Sequence, residues 1–270
     1  MREIFGFALL GASIAVVVPA HAQHVGADAP ARASELADPV ACGSGRVGPI
    51  WEFGAQGASN SVGLYDQEIY AAVGTASICL NDKARLRFEG LAASFDDGIG
   101  TSHSYVAGVG VSFQAAPGWT LTPAAYIGFE DLYNGNDQEV ATVALTAQYT
   151  HTVERESGDT YLLFEARPEY VGRQSASSST LGTGREATFV NYVGIGFDRP
   201  LAPGFRGRVK LGHRYIDADQ PITSIFMATT SLGGENVYGG YRWIADLTYS
   251  SGNGDYEGVL FGLTLRHVSD

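Results

Sequence analysis

The run Phe205-Arg206-Gly207-Arg208-Val209-Lys210-Leu211-Gly212-His213-Arg214-Tyr215 decides how this chain is read. Every odd position in it is apolar, aromatic, Gly or His, whereas positions 206, 208, 210 and 214 are basic. Side chains alternate across a β-strand, so the run is a strand with one apolar face and one charged face. Two architectures accept such a strand. A soluble sandwich buries the apolar face in its core, where its large rings pack. A membrane-spanning barrel turns the same face to lipid and keeps the charges inside.

The same alternation recurs along the chain in segments of about ten residues, bounded by turn residues. Trp119, Leu121, Pro123, Ala125, Ile127 and Phe129 share one side of a strand, and Thr120, Thr122, Ala124, Tyr126, Gly128 and Glu130 share the other. The pattern predicts strands at roughly 50 to 57, 66 to 78, 84 to 95, 103 to 114, 118 to 130, 138 to 152, 159 to 171, 187 to 198, 204 to 216, 222 to 232, 237 to 249 and 256 to 268. Short turns such as Asn81-Asp82-Lys83 alternate with longer loops such as Leu132 to Asp137 and Arg173 to Glu186. An even strand count returns the chain to the side from which it entered. The expected fold is all-β, a closed antiparallel transmembrane β-barrel of about 12 strands, with 10 to 12 as the range.

Large aromatics stand at strand ends. Trp51, Phe113, Trp119, Phe129, Tyr149, Phe197, Phe205, Tyr215, Trp243 and Tyr249 are placed to form girdles where hydrocarbon meets headgroup.

Residues 1–22 read as a secretory signal peptide: Arg2, an apolar run from Ile4 to Val18, and Ala20-His21-Ala22 before the cleavage point. The apolar run is shorter than the ~20 residues a spanning helix needs. Residues 23–48 are small, polar and rich in Ala and Pro, which predicts a flexible periplasmic leader. Residues 49–270 form the barrel. Loss of residues 1–22 removes one base, Arg2, and one acid, Glu3, so the net charge of −12 is unchanged. Nucleic acid is excluded as a partner by that balance. The 35 Gly, 14 Tyr and 13 Phe against 2 Met suit two-faced β structure rather than a helical bundle.

The signal peptide, the ten-residue alternation, the aromatic strand ends and the turns Ala116-Pro117-Gly118-Trp119 and Ala202-Pro203-Gly204-Phe205 together resemble Gram-negative outer-membrane β-barrel proteins. The resemblance covers residues 49 to 268 and is one of architecture. Its size and its inward arginines also resemble the small twelve-stranded porins that pass anionic oligosaccharides. It implies outer-membrane lipids and lipopolysaccharide as surroundings, and small solutes as cargo. Such barrels usually end on an aromatic residue; here the last strand presents Val259, Phe261, Leu263 and Leu265 on its apolar face.

Assigning faces strand by strand puts Arg85, Arg87, Arg206, Arg208, Lys210, Arg242 and Arg266 inside, mostly toward the short turns. Glu52, Glu89, Glu165, Arg167, Glu169 and Asp246 share that interior. Such charges either pair across a narrow bore, because an interior charge must be paired or hydrated, or form a basic constriction that admits anions. The expected function is a porin-like channel for small anionic solutes, with a non-conducting structural or adhesion barrel as the alternative. A membrane-embedded hydrolase is the weakest reading. His103-Ser104, His151 and His213 with Asp217 and Asp219 form no recognisable catalytic motif, so no catalytic residues are assigned. The acidic loops lack the spacing of a calcium motif, and neither metal nor cofactor is expected. Cys42 precedes the first strand and Cys79 ends the second, which predicts a disulfide tying the leader to the barrel.

Overall fold

The computed structural model describes residues 49–62, 65–96, 98, 100–131, 137–156, 158–175, 185–217, 224–234, 241–253 and 255–268. Twelve strands account for nearly all of them: β1 Ile50–Val62, β2 Tyr65–Asn81, β3 Ala84–Asp96, β4 Thr101–Ala116, β5 Trp119–Asp131, β6 Gln138–Val153, β7 Thr160–Ser175, β8 Arg185–Ala202, β9 Phe205–Asp217, β10 Ser224–Gly234, β11 Tyr241–Gly252 and β12 Tyr256–Val268. Each pairs antiparallel with its neighbours in chain order, and β12 pairs with β1 to close the barrel. Closure removes the free edges that an open sheet would expose. The seam runs the full height, from Ile50 opposite Val268 to Val62 opposite Tyr256.

Strands extend further than the alternation alone predicts. β1 continues past residue 57 to Val62, because Ser59, Asn60 and Ser61 are polar on both faces yet pair in register with β12 and β2. Only residues 63 and 64 then join β1 to β2.

Two short turns have the same chemistry. Pro117-Gly118 and Pro203-Gly204 place Gly at positive φ, 75° and 77°, which is the Pro-then-Gly order of a type II turn. Gly118 is required a second time by packing, since a Cβ there would lie 2.7 Å from the Thr150 carbonyl oxygen. A third turn is closed by Asn81, whose Oδ1 accepts from the Lys83 amide at 2.8 Å. The ladders slip by one residue beside each of these turns, at Cys79/Asn81, Gln114/Ala116 and Pro200/Ala202. Such bulges are common at barrel rims, where they sharpen the bend.

Apolar side chains cover the outside. Ile127 is 73% exposed and Phe226 64%, values that in water would expose a continuous apolar surface far larger than soluble monomers carry. Rings gather toward the short turns, where Trp119 meets Tyr149 with centroids 5.2 Å apart and Phe205 meets Trp243 at 6.3 Å. Gly234 stands between the last two, opposite both. A Cβ there would lie 2.6 Å from Trp243 Nε1, so its absence lets the indole lie across the strand.

The inner face divides along the axis. Its loop half carries most of the buried apolar side chains, Ile69, Val73, Leu91 and Phe95 on one side and Val140, Val171, Val190, Ile216, Ile225 and Met227 on the other. Its short-turn half carries most of the charges. That division was not read from the sequence, because inward Val and Ile break the polar parity that the alternation rule assigns to a lumen.

Candidate functional site

The inner charges stand on alternate residues of strands that leave the short turns. Arg85, Arg206 and Arg242 are each the second residue of β3, β9 and β11, and Arg266 lies two residues before the end of β12. They form a basic collar at one mouth. Arg87, Arg208 and Lys210 continue the same faces inward.

Several of these bases meet an acid or a ring. At the seam, Arg266 lies directly opposite Glu52 and donates to Glu52 Oε1. Thr75 Oγ1, from β2, donates to the other oxygen at 2.8 Å, so one carboxylate joins three strands across the closure. On β3, Arg87 Nε sits 2.6 Å from Glu89 Oε1, and Tyr126 O–H donates to Glu89 Oε2 at 3.1 Å. The Tyr126 ring lies against Gly108, where a Cβ would stand 2.0 Å from the ring.

A second cluster spans β7, β8 and β9. Arg206 donates from Nε and Nη2 to one oxygen of Asp198, at 2.8 and 2.6 Å, and from Nη2 to the Asp159 carbonyl at 2.9 Å. Its guanidinium also lies 4.9 Å from the Tyr161 ring centroid. Arg208 approaches the second Asp198 oxygen at 3.5 Å. Lys210 Nζ lies 2.5 Å from Glu165 Oε2, Arg167 lies 2.6 Å from Glu169 and 3.8 Å from Glu165. Tyr192 is flanked by Lys210 at 4.9 Å and Arg167 at 5.3 Å from its ring centroid. The ring fits because its neighbours Gly194 and Gly212 are opposite each other and carry no side chains. Asp246, buried on β11, lies opposite Ser231, which lies opposite Arg208.

All the charged residues assigned to the interior therefore lie on the inner face, and Arg242, Lys210 and Glu89 are the more accessible of them. Three more interior charges lie outside the assigned cluster, Glu130 and Arg214 among them having been placed on the polar faces of their strands. Asp198 is fully buried, Arg214 is 1% exposed, and Glu130 is buried near the loop end. Arg214 has the parity of Arg206, Arg208 and Lys210, which was the available signal. Asp198 closes the expected eighth strand on the parity of Gly194 and Gly196. Among the described residues, inner bases outnumber inner acids.

Among the described residues, neither His103 with Ser104 nor His213 with Asp217 forms a nucleophilic triad; Asp219 lies outside the described residues. His103 and Ser104 point to opposite faces, with Ser104 buried inside. His213 Nε2 stands 2.8 Å from Ser224 Oγ on the outer face and packs on Phe226 at 4.6 Å. Among the described residues no carboxylate bonds to His213 to orient it, as a nucleophilic triad would require. Nor does any group of three or more His, Cys, Asp or Glu among the described residues gather as a metal site. Cys79 is disulfide-bonded; Cys42 and the whole of residues 1–48 lie outside the described residues.

Fold and wall together define a closed twelve-stranded antiparallel β-barrel with an apolar outer face and a charged inner one, the build of a barrel that spans a membrane. No family model matches the chain, and no curated protein matches it. Solved structures do. The translocator domain of the autotransporter NalP from Neisseria meningitidis aligns over 96% of this chain and 98% of its own, at 11% identity and TM-score 0.58. An outer-membrane channel from Pseudomonas putida F1 aligns over 86% and 99%, at 12% identity and TM-score 0.60. LpxR from Salmonella typhimurium aligns over 81% and 100%, at 10% identity and TM-score 0.54. At these identities the likeness is one of fold.

Proposed function

We propose that the protein is an outer-membrane channel for small anionic solutes. The observation that carries this reading is the collar of Arg85, Arg206, Arg242 and Arg266 at one mouth of a closed barrel. A ring of fixed positive charge at a constriction lowers the barrier for anions and raises it for cations. The outward apolar band and the paired rings near the short turns support a place in a lipid bilayer. Lipopolysaccharide and outer-membrane lipids are then the natural surroundings of the loop end. Ion selectivity in planar bilayers tests the reading.

A non-conducting structural barrel is the second reading, and it rests on the depth of the pairing. Arg206, Arg208 and Asp198 are each nine-tenths or more buried and held to one another. A network of that kind ties strands together whether or not a solute passes.

A further inference from the structure

Gln56, Gly262, Asp246 and Ser231 follow one another around the inner wall on β1, β12, β11 and β10, each directly opposite the next. Gln56 is 7% exposed and Asp246 2%. Gly262 leaves a cleft between their side chains. A Cβ placed on it would lie 3.6 Å from Gln56 Cγ and 3.8 Å from Asp246 Oδ2, ordinary contact distances, so the cleft takes a small group while the wall stays as it is.

The second observation is the bonding of these side chains. Gln56 Nε2 and Oε1 are both buried, and among the described residues neither has a hydrogen-bond partner. Native interiors rarely leave a buried amide in that condition unless something outside the chain answers it. Nor does any base among the described residues pair with Asp246. The neighbouring bases are engaged elsewhere, Arg206 and Arg208 with Asp198 and Lys210 with Glu165. A carboxylate so buried calls for a cation of its own.

We propose that the cleft over Gly262 binds the ammonium and carboxylate of a small α-amino acid. An ammonium carries only donors and a carboxylate only acceptors. The ammonium donates to Asp246 and to Gln56 Oε1, and the adjoining carboxylate accepts from Gln56 Nε2. One ligand thus answers both atoms of the amide and the charge of the acid. A bare metal ion would leave Nε2 without an acceptor, and a plain carboxylic acid would bring Asp246 a second negative charge and no cation. Ala71, opposite Gln56, and Leu260, beside Gly262 on the inner face of β12, are buried apolar wall for a short side chain. The site goes beyond the channel reading, because its ligand carries no net charge and is defined by binding rather than by ion flow.

The test is binding of L-alanine to the mature protein folded in detergent micelles, read by saturation-transfer NMR. Saturable binding is expected. Lactate, which puts a hydroxyl in place of the ammonium, and glycine betaine, a cation without N–H, are each expected to bind about tenfold more weakly or worse, the scale of one hydrogen bond to a charged group. Asp246→Asn removes the charge and Gly262→Ala fills the cleft, and each is expected to weaken alanine by a similar factor, with heat-modifiable gel mobility verifying the fold. Absence of alanine binding, equal binding of lactate, displacement of alanine by calcium chloride, or an affinity unchanged by both substitutions overturns the proposal. Should Asp246→Asn fail to fold, Gly262→Ala and the ligand series on the unmodified protein decide the matter. No readout depends on ion flow, so the site and the channel stand or fall separately.

Discussion

Arg206 reaches across the turn at Pro203-Gly204 and places two of its nitrogens on a single oxygen of Asp198, while Arg208 approaches the other oxygen. One carboxylate thus balances two buried guanidiniums. Removal of one partner of a buried ion pair leaves an uncompensated charge, which costs about 3–5 kcal/mol. Asp198→Ala is expected to lose stability on that scale, read from the urea midpoint of the barrel refolded in lipid vesicles. A midpoint within experimental error of the unmodified protein would show that water reaches both arginines.

The two faces of β9 are expected to answer oppositely to charge. Val209 faces outward at 51% exposure, and Val209→Arg places a cation against hydrocarbon at a cost of roughly 2–4 kcal/mol. Arg208→Ala, one residue away, leaves Asp198 bonded to Arg206 and is expected to fold nearly as well. Yield of heat-modifiable barrel in bilayers compares them. Tolerance of Val209→Arg together with failure of Arg208→Ala would mean that the barrel has been read inside out.

Two glycines of neighbouring strands make a paired test of packing. A Cβ at Gly108 would stand 2.0 Å from the Tyr126 ring, whereas one at Gly90 meets nothing within 4 Å. Gly108→Ala must displace Tyr126 from Glu89, with a loss of about 1–3 kcal/mol. Gly90→Ala is expected to be neutral or to gain up to about 1 kcal/mol from reduced backbone freedom in the unfolded chain. Urea midpoints of the two variants, measured side by side, check the contrast.

The twelve strands were legible because lipid favours apolar side chains at the outward positions of a span while the inward positions are free to be polar. Phe205 to Tyr215 shows the alternation clearly, with His213 its one polar outward side chain. Strand ends were less legible, since polar residues at the rim satisfy either a strand or a loop, and β1 was underestimated on that account at Ser59 to Ser61. The inward charges followed from parity, Arg214 sharing it though left out of the cluster. Partners were not legible at all. Nothing local in the sequence says that Glu52 meets Arg266 at the seam, or that Tyr192 lies flat because Gly194 and Gly212 face each other. Those depend on register, which closure sets.

Processing and covalent state are open to mass measurement. The mature protein is expected to begin at Gln23, and reduction is expected to raise its intact mass by two hydrogens, reporting one Cys42–Cys79 bridge. Closing a loop of about 37 residues contributes roughly 3–4 kcal/mol by restricting the unfolded chain. An unchanged mass on reduction would remove the bridge from the account.

The central claim, an anion-preferring channel, meets its most direct test in planar bilayers under a salt gradient. The account predicts current from the folded protein and a reversal potential on the anion-selective side. Arg85→Ala with Arg242→Ala moves that potential toward zero. Cation selectivity, or the absence of current from the folded protein, would contradict it.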